Sequence, residues 1–254
     1  SKNKNTTKNG LNYIVLLGGR NSGKSSLGNL ILGKEEFVTK ERTTCSRRLG
    51  VVAGRWLTVV DTPGWWCDFS AQDTSELVKR EIVSSVSLCS PGPHVFLITI
   101  KATSAFSEKR RRAVEEHVAL LGERVWSHCV LVFISADGSK HKETGELVRA
   151  GGEALCWLIE KCSQRYHVLN NKTNGDGFQV RELIGKIEEM LAGSEGGYHY
   201  EIERKLMEQM EEKIRREKER AKERLMEKEK QRQMARSQLG ELDAFKKKWF
   251  PAWG

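Results

Sequence analysis

Gly18-Gly19-Arg20-Asn21-Ser22-Gly23-Lys24-Ser25 is the stretch on which the reading of this chain turns. It satisfies G-x-x-x-x-G-K-[ST], and its surroundings give the pattern meaning. The apolar run Tyr13–Leu17 precedes it and a helical pattern, Lys24–Leu32, follows it. Each residue type has a physical reason. Gly18 and Gly23 let the backbone wrap closely, with its N–H groups turned inward to phosphate oxygens. A helix starting near Lys24 aims the positive end of its dipole at the same point. The Lys24 ammonium suits β- and γ-phosphates, and the Ser25 hydroxyl suits Mg²⁺, a hard cation that takes oxygen ligands.

Moving outward, short apolar runs alternate with helical patterns. The strand candidates are Tyr13–Leu17, Leu49–Val52, Leu57–Val60, Val95–Ile100, Cys129–Ile134 and Tyr166–Leu169; the helix candidates are Lys24–Leu32, Thr74–Ser87, Glu108–Leu121, Thr144–Lys161 and Gln179–Leu191. Continuous apolar runs read as buried parallel strands, so the alternation predicts an α/β layered sheet with helices on both faces. Ala53-Gly54-Arg55 between two of the runs reads as a hairpin connection, which predicts one antiparallel edge strand. Asp61-Thr62-Pro63-Gly64 closes the third run. A D-x-P-G turn standing alone is generic. Coming 36 residues after Ser25 and after two strands, it fits a small-GTPase layout: Asp61 would hold Mg²⁺ through water and Gly64 would offer an N–H to a γ-phosphate. Loops near Thr43–Thr44 and Gly64–Trp66 would then order around γ-phosphate and Mg²⁺.

The chain has 254 residues, 38% of them apolar, and a net charge of +9. That composition supports a packed core and excludes a wholly disordered chain. The basic excess suits phosphate, RNA or an acidic membrane surface without choosing among them. The six cysteines, Cys45, Cys67, Cys89, Cys129, Cys156 and Cys162, contain no C-x-x-C pair and read as reduced thiols in a reducing compartment. Neither they nor the six histidines show zinc-ligand spacing, and no histidine stands in a Ser/His/Asp context. No run of about 18 apolar residues is present to span a bilayer, and no signal-peptide pattern is seen. The first residue is Ser1 rather than Met, from which we expect a longer parent protein.

Residues 1–10 are polar and read as a loose segment. After Gly193-Ser194-Glu195-Gly196-Gly197 the composition changes, and 22 of the 32 residues from Glu201 to Arg232 are charged. Ile202, Leu206, Met210 and Ile214, then Ala221 and Leu225, form a thin apolar stripe, while Glu217, Arg224 and Lys228 interrupt any heptad seam. We expect residues 198–248 to be mostly helical, docked in the first half and exposed beyond Ala221. The bases and aromatics from Lys246 to Trp253 have a composition suited to a membrane interface.

Three segments together carry a resemblance: LLGGRNSGKSSLGNLILG (16–33), VVAGRWLTVVDTPGWW (51–66) and GPHVFLITIKATSAFSEKRRRAVEEHVALLG (92–122). They resemble the immunity-associated GTPase family (GIMAP, also called IAN, of the AIG type), over about Asn12 to Leu191. G-x-x-x-x-G-K-S is shared by many nucleotide hydrolases. The G-N-x-I-L-G at Gly28–Gly33, the D-T-P-G-W at Asp61–Trp65 and the G-P-H at Gly92–His94 are far more specific. The resemblance implies a Ras-like P-loop G domain: a mostly parallel six-stranded sheet with one antiparallel edge strand and helices on both faces. With the long charged C-terminal helix added, the expected layout is a flexible segment at 1–10, an AIG-type G domain over 11–196 and a helical, coiled-coil-like extension over 197–254. It further implies GTP/GDP and Mg²⁺ as ligands, GTP-dependent homodimers or oligomers through the G domain, and a cytoplasmic protein with peripheral contact to an intracellular membrane. No specific nucleic acid is expected, because no aromatic-studded basic surface of RNA-binding type stands out.

Carried over residue by residue, the phosphate-binding candidates are Gly18, Arg20, Asn21, Ser22, Gly23, Lys24, Ser25, Ser26 and Gly64. The Mg²⁺ candidates are Ser25, Asp61 and a switch-I threonine, for which Thr43 and Thr44 both qualify. Asp137 would accept guanine N1–H and N2–H, and Asn171 would face the base; the basic residue usual before that aspartate is missing, since Ser135 and Ala136 stand there. No catalytic residue is assigned. Trp65 stands directly after D-x-x-G, where small GTPases often carry a water-orienting Gln. Ala105, in Ser104-Ala105-Phe106-Ser107, replaces the arginine of the family's G-R-[FY]-T. Arg20, Arg42, Arg47 and Arg48 are read mainly as solvated charges and as weak substitutes only. Trp65-Trp66 reads two ways, as packing onto the following helix or as a nucleotide-sensitive contact surface. Slow intrinsic hydrolysis follows, or a nearly inactive nucleotide-binding scaffold that assembles near membranes.

Overall fold

The computed structural model describes residues 11–40, 42–102, 106–135, 144–170, 177–193 and 199–249, with the side chains of 144–150 excepted. Six strands, β1 (Tyr13–Gly18), β2 (Ser46–Val52), β3 (Arg55–Asp61), β4 (Val95–Lys101), β5 (Cys129–Ser135) and β6 (Tyr166–Asn170), form one sheet in the order β2-β3-β1-β4-β5-β6. Every neighbouring pair is parallel except β2–β3. The helices are α1 (Lys24–Leu32), α2 (Glu76–Ser84), α3 (Glu108–Ala119), α4 (Thr144–Lys161, kinked at Gly152), α5 (Phe178–Ala192) and α6 (Arg204–Trp249).

The strand side chains alternate between two cores, as the two-residue period of a strand requires. Val15 and Leu17 of β1, Phe96 and Ile98 of β4, and Leu131 and Phe133 of β5 join residues of α2, α3 and α4 on one face. Ile14 and Leu16, Val95 and Leu97, and Val130 and Val132 join Leu27 and Ile31 of α1 and Leu183 and Ile187 of α5 on the other. Both faces of the central strands are therefore buried, which is why those strands are continuous apolar runs. The sheet's C-terminal edge, where β1 and β3 end in Gly18 and Asp61, is left to loops.

Several boundaries differ from the sequence reading for local reasons. β2 begins at Ser46 rather than Leu49, since the ladder continues through Ser46↔Asp61 and Arg47↔Val60 on the sheet's exposed edge. The connecting turn is Ala53-Gly54, both at positive φ, so Arg55 belongs to β3. α2 starts at Glu76, because the Ser75 hydroxyl accepts from the Val78 N–H as its cap; Thr74 is engaged elsewhere. The helix expected over Thr74–Ser87 ends at Ser84 and tightens into a 3₁₀ turn, Ser85–Leu88; a second 3₁₀ turn, Glu123–His128, lies outside the expected elements.

One compact unit runs up to Met207 and a second begins at Glu208. In the first, the segment before α6 is fixed to the N-terminal edge of the sheet. The Tyr200 N–H donates to the Pro93 carbonyl (2.6 Å), its ring meets Phe96 edge-on (5.3 Å), and its hydroxyl donates to the Leu121 carbonyl. A Cβ on Gly92 would come within 2.1 Å of the Tyr200 carbonyl oxygen, so the G-P-H at Gly92–His94 makes room for this docking. The docked stretch explains why α6 starts at Arg204 rather than near 198. In the second unit Met210 is buried, and every residue from Arg215 to Trp249 is exposed. No helix among the described residues is long and apolar enough to cross a membrane.

Candidate functional site

Among the described residues, a cleft at the C-terminal edge of β1 and β3 is lined by four cations, Arg20, Lys24, Lys40 and Arg42, and one carboxylate, Asp61. That imbalance suits a polyanion. Lys24 opens α1 with its side chain buried, and its ammonium donates to the carbonyls of Gly18 (3.1 Å) and Gly19 (2.8 Å). It is thereby held along the rim of the loop. Burial lowers its pKa to about 8, opposed by the negative charge of Asp61. Phosphate at this place would add a counter-charge to a cation that burial destabilises. Arg20, Asn21, Gly23, Ser25, Ser26 and Gly64 line the same cleft. Ser22 is buried beneath the loop, its hydroxyl 2.5 Å from Thr99 Oγ1 of β4, which donates in turn to the Leu17 carbonyl (3.2 Å). Its side chain braces the loop from below.

Ser25 and Asp61 come together. The Ser25 hydroxyl donates to Asp61 Oδ2 (2.6 Å), and the Arg42 guanidinium pairs with that same oxygen while lying 3.4 Å from Ser25 Oγ. Asp61 is 2% exposed. Its other oxygen, Oδ1, is buried without a hydrogen-bond partner among the described residues. Burial pushes the Asp61 carboxyl up, and Ser25, Lys24 and Arg42 pull it back. A hydroxyl beside a carboxylate with one unused buried oxygen is an all-oxygen donor set that fits Mg²⁺ and its waters. Thr43 and Thr44 are exposed and do not line the cleft; Thr39 and Lys40 do. Arg42, expected to be a solvated charge, is instead an ion-pair partner with 23% of its side chain exposed.

The D-T-P-G-W segment lies directly on the Gly18–Ser25 loop. The Arg20 N–H donates to the Trp65 carbonyl (2.7 Å), and Gly19 and Trp65 form a parallel bridge. Gly64 fits because it has no side chain: a Cβ there would stand 2.8 Å from the Arg20 nitrogen and 2.9 Å from the Gly19 carbonyl carbon. The two tryptophans diverge. Trp65 is buried and stacks on His117 of α3 at 4.5 Å and 9°. His117 is held neutral by burial, with a pKa lowered to about 4; its Nδ1–H donates to the Ala113 carbonyl (2.6 Å) and Nε2 accepts from Thr74 (2.7 Å). Trp66 is half exposed and carries the Arg20 guanidinium over its ring at 4.1 Å. Packing thus describes Trp65, onto α3 rather than the helix that follows, and exposed contact surface describes Trp66.

Asn29 has a role that the sequence reading did not give it. Its Oδ1 accepts from the N–H groups of Glu36 (3.0 Å) and Phe37 (2.7 Å), and its Nδ2 donates to the Phe37 carbonyl (2.9 Å) and to Glu35 (3.0 Å). The G-N-x-I-L-G at Gly28–Gly33 thereby fixes the loop that leads toward Thr39 and Arg42. An Asn inside a helix is a cue for such bonding, because its amide competes with helical backbone bonds. Asn29→Ala leaves the buried Phe37 amide groups unpaired and should cost about 2–3 kcal/mol. Urea unfolding measures this, and a loss below about 0.5 kcal/mol would remove the role. Arg42 had no such cue, since nothing periodic connects it to Asp61. Asp137, Asn171 and Ala105 lie outside the described residues.

A model of the AIG1 family matches residues 12–223. Among curated relatives, Immune-associated nucleotide-binding protein 9 of Arabidopsis thaliana is 30% identical over 209 residues, covering 77% of this chain and 60% of that protein. GTPase IMAP family member 8 of Homo sapiens is 30% identical over 194 residues, covering 73% of this chain and 28% of that protein. Immune-associated nucleotide-binding protein 10 of Arabidopsis thaliana is 27% identical over 214 residues, 79% of this chain and 45% of that protein. The chain therefore spans less than two thirds of the length of these relatives. Among solved structures, Toc33 from Arabidopsis thaliana in complex with GDP and Mg²⁺ has a TM-score of 0.56 at 16% identity over 75% of this chain and 88% of its own. Era in complex with MgGDPNP and a piece of 16S ribosomal RNA has a TM-score of 0.51 at 15% identity over 76% of this chain and 58% of its own. At those identities the likeness is one of fold.

Proposed function

Since the chain belongs to the AIG1 family, we propose that it is a guanine-nucleotide-binding switch that loads GTP and GDP with Mg²⁺, hydrolyses GTP slowly and self-associates through its G domain in the GTP state. One observation carries the reading: Lys24 and Ser25 from one segment, and Asp61 and Gly64 from another, converge on one electropositive cleft at the end of β1. In that cleft Lys24 would face the phosphates, the start of α1 would turn the positive end of its dipole to the same charge, and Ser25 and Asp61 would hold the cation. Mg²⁺, when bound, supplies charge neutralisation between the β- and γ-phosphates. Asp137 and Asn171 are the residues proposed to read guanine. Self-association and peripheral membrane contact rest on the family resemblance, as does a cytoplasmic location.

Slow turnover is supported by Trp65. Its indole is stacked away from the cleft on His117 and has no group that orients water. The same observation favours a second reading, a near-inactive scaffold that uses GTP only to assemble. Phosphate release, measured across a range of protein concentrations, separates the two. We expect turnover well below the enzyme median of about 10 s⁻¹, rising with concentration if a second copy completes the site. Turnover that stays at background at every concentration identifies the scaffold, and a fast, concentration-independent rate contradicts both.

A further inference from the structure

The cleft contains a cation of the chain's own at the place where the oxygen donors call for a divalent one. The Arg42 guanidinium touches both proposed ligands, ion-paired with Asp61 and 3.4 Å from the Ser25 hydroxyl. Two cations cannot share these donors, because like charges about 4 Å apart repel strongly in a partly buried site. Asp61 needs a counter-ion in every state of the protein, since an uncompensated buried carboxylate is costly.

We propose that Arg42 is an intramolecular stand-in for the divalent cation: it holds Asp61 and Ser25 when no nucleotide is bound, and gives them up as Mg²⁺ enters with the phosphates. The inference rests on the reading of Ser25 and Asp61 as the metal site. The surrounding chain is built for such an exchange. It is pinned before Arg42 at Phe37, by Asn29, and after it at Cys45, whose N–H donates to Glu81 Oε2 (2.7 Å). A change of partner by Arg42 therefore leaves β2 and α1 in place. The Phe37 ring, 5.8 Å from the guanidinium, offers a second resting surface. Loading becomes a replacement of one cation by another, so Asp61 is never left unpaired and free Mg²⁺ competes poorly until phosphate adds its charge.

The test uses the full chain with fluorescent GDP and needs no hydrolysis. Retention of GDP is titrated with Mg²⁺ for the unaltered chain, Arg42→Gln and Arg42→Lys. Arg42→Gln removes the competitor, so its Mg²⁺ midpoint should fall about tenfold, as expected when a competing state is about 90% populated. Arg42→Lys, which keeps a cation, should stay near the unaltered midpoint. Without nucleotide, Arg42→Gln should melt about 2–4 °C lower, because Asp61 has lost its partner, and saturating Mg²⁺ and GDP should abolish that difference. An unchanged midpoint with unchanged melting overturns the proposal. So does weaker GDP binding at saturating Mg²⁺ with an unchanged midpoint, which would make Arg42 a phosphate ligand only. If GDP retention by the unaltered chain ignores Mg²⁺ altogether, the metal-site reading itself has failed.

Discussion

Replacing Lys24 by alanine is expected to weaken GTP and GDP binding by about 100-fold or more. Of the four cations that line the cleft among the described residues, Lys24 is the one buried at the rim of the loop, its ammonium already held by the Gly18 and Gly19 carbonyls. That preorganisation means little entropy is lost when phosphate arrives. Arg20, which lies over Trp66, and Arg42, which the proposed exchange releases only as Mg²⁺ enters, lack that preset position on the loop's rim. Ser25→Asn should act differently, removing the hydroxyl beside Asp61 and weakening binding chiefly where Mg²⁺ is present. Fluorescent-nucleotide titration with and without Mg²⁺ reads both, with circular dichroism to show that the sheet is intact. Binding by Lys24→Ala within threefold of the unaltered chain would mean that the cleft is not the phosphate site.

The second large effect belongs to Trp65. Trp65→Ala should cost about 3–5 kcal/mol of stability, the range for truncating a large buried aromatic. The indole is 2% exposed, stacks on His117 and sits where the D-T-P-G-W backbone meets the Gly18–Ser25 loop. Removing it empties space between the cleft and α3. The rate of hydrolysis per folded molecule should be unchanged, because the side chain never reaches the cleft. Chemical denaturation gives the first number and single-turnover phosphate release the second. A stability loss under about 1 kcal/mol, or a marked change in rate, would show that Trp65 leaves its stack in the working protein.

How much of this was legible in the sequence depended on whether a residue's partner was local. The central strands were readable because burial on both faces makes them continuous apolar runs, as Val95–Ile100 and Cys129–Ile134 are. α1 and α4 were placed to the residue, Lys24–Leu32 and Thr144–Lys161. Boundaries failed where a side chain was spent on a distant partner: Thr74 reads like a helix start but bonds His117, leaving the cap to Ser75. The 3₁₀ turn at Ser85–Leu88 was read as the end of the helix before it, and the one at Glu123–His128 is too short to carry a period. At the cleft, the Gly18–Ser25 loop was legible because its pattern is written in consecutive residues. The bracing of that loop by the Ser22 hydroxyl was not, since its partner, Thr99, lies on β4. Nor was Arg42, whose partner lies 19 residues away across the cleft. The choice between Thr43 and Thr44 turned on the path of a loop; the structure exposes both and brings Thr39 to the cleft.

The central claim is that this cleft takes guanine nucleotide with Mg²⁺. Parallel titrations of the full chain with fluorescent GDP and ADP, each with Mg²⁺ and with a chelator, test it most directly. The account predicts that GDP binds at least about 100-fold tighter than ADP, the discrimination expected when buried polar groups are left unpaired by the wrong base, and that chelation loosens GDP. Equal affinity for the two nucleotides, or GDP binding indifferent to Mg²⁺, would contradict it.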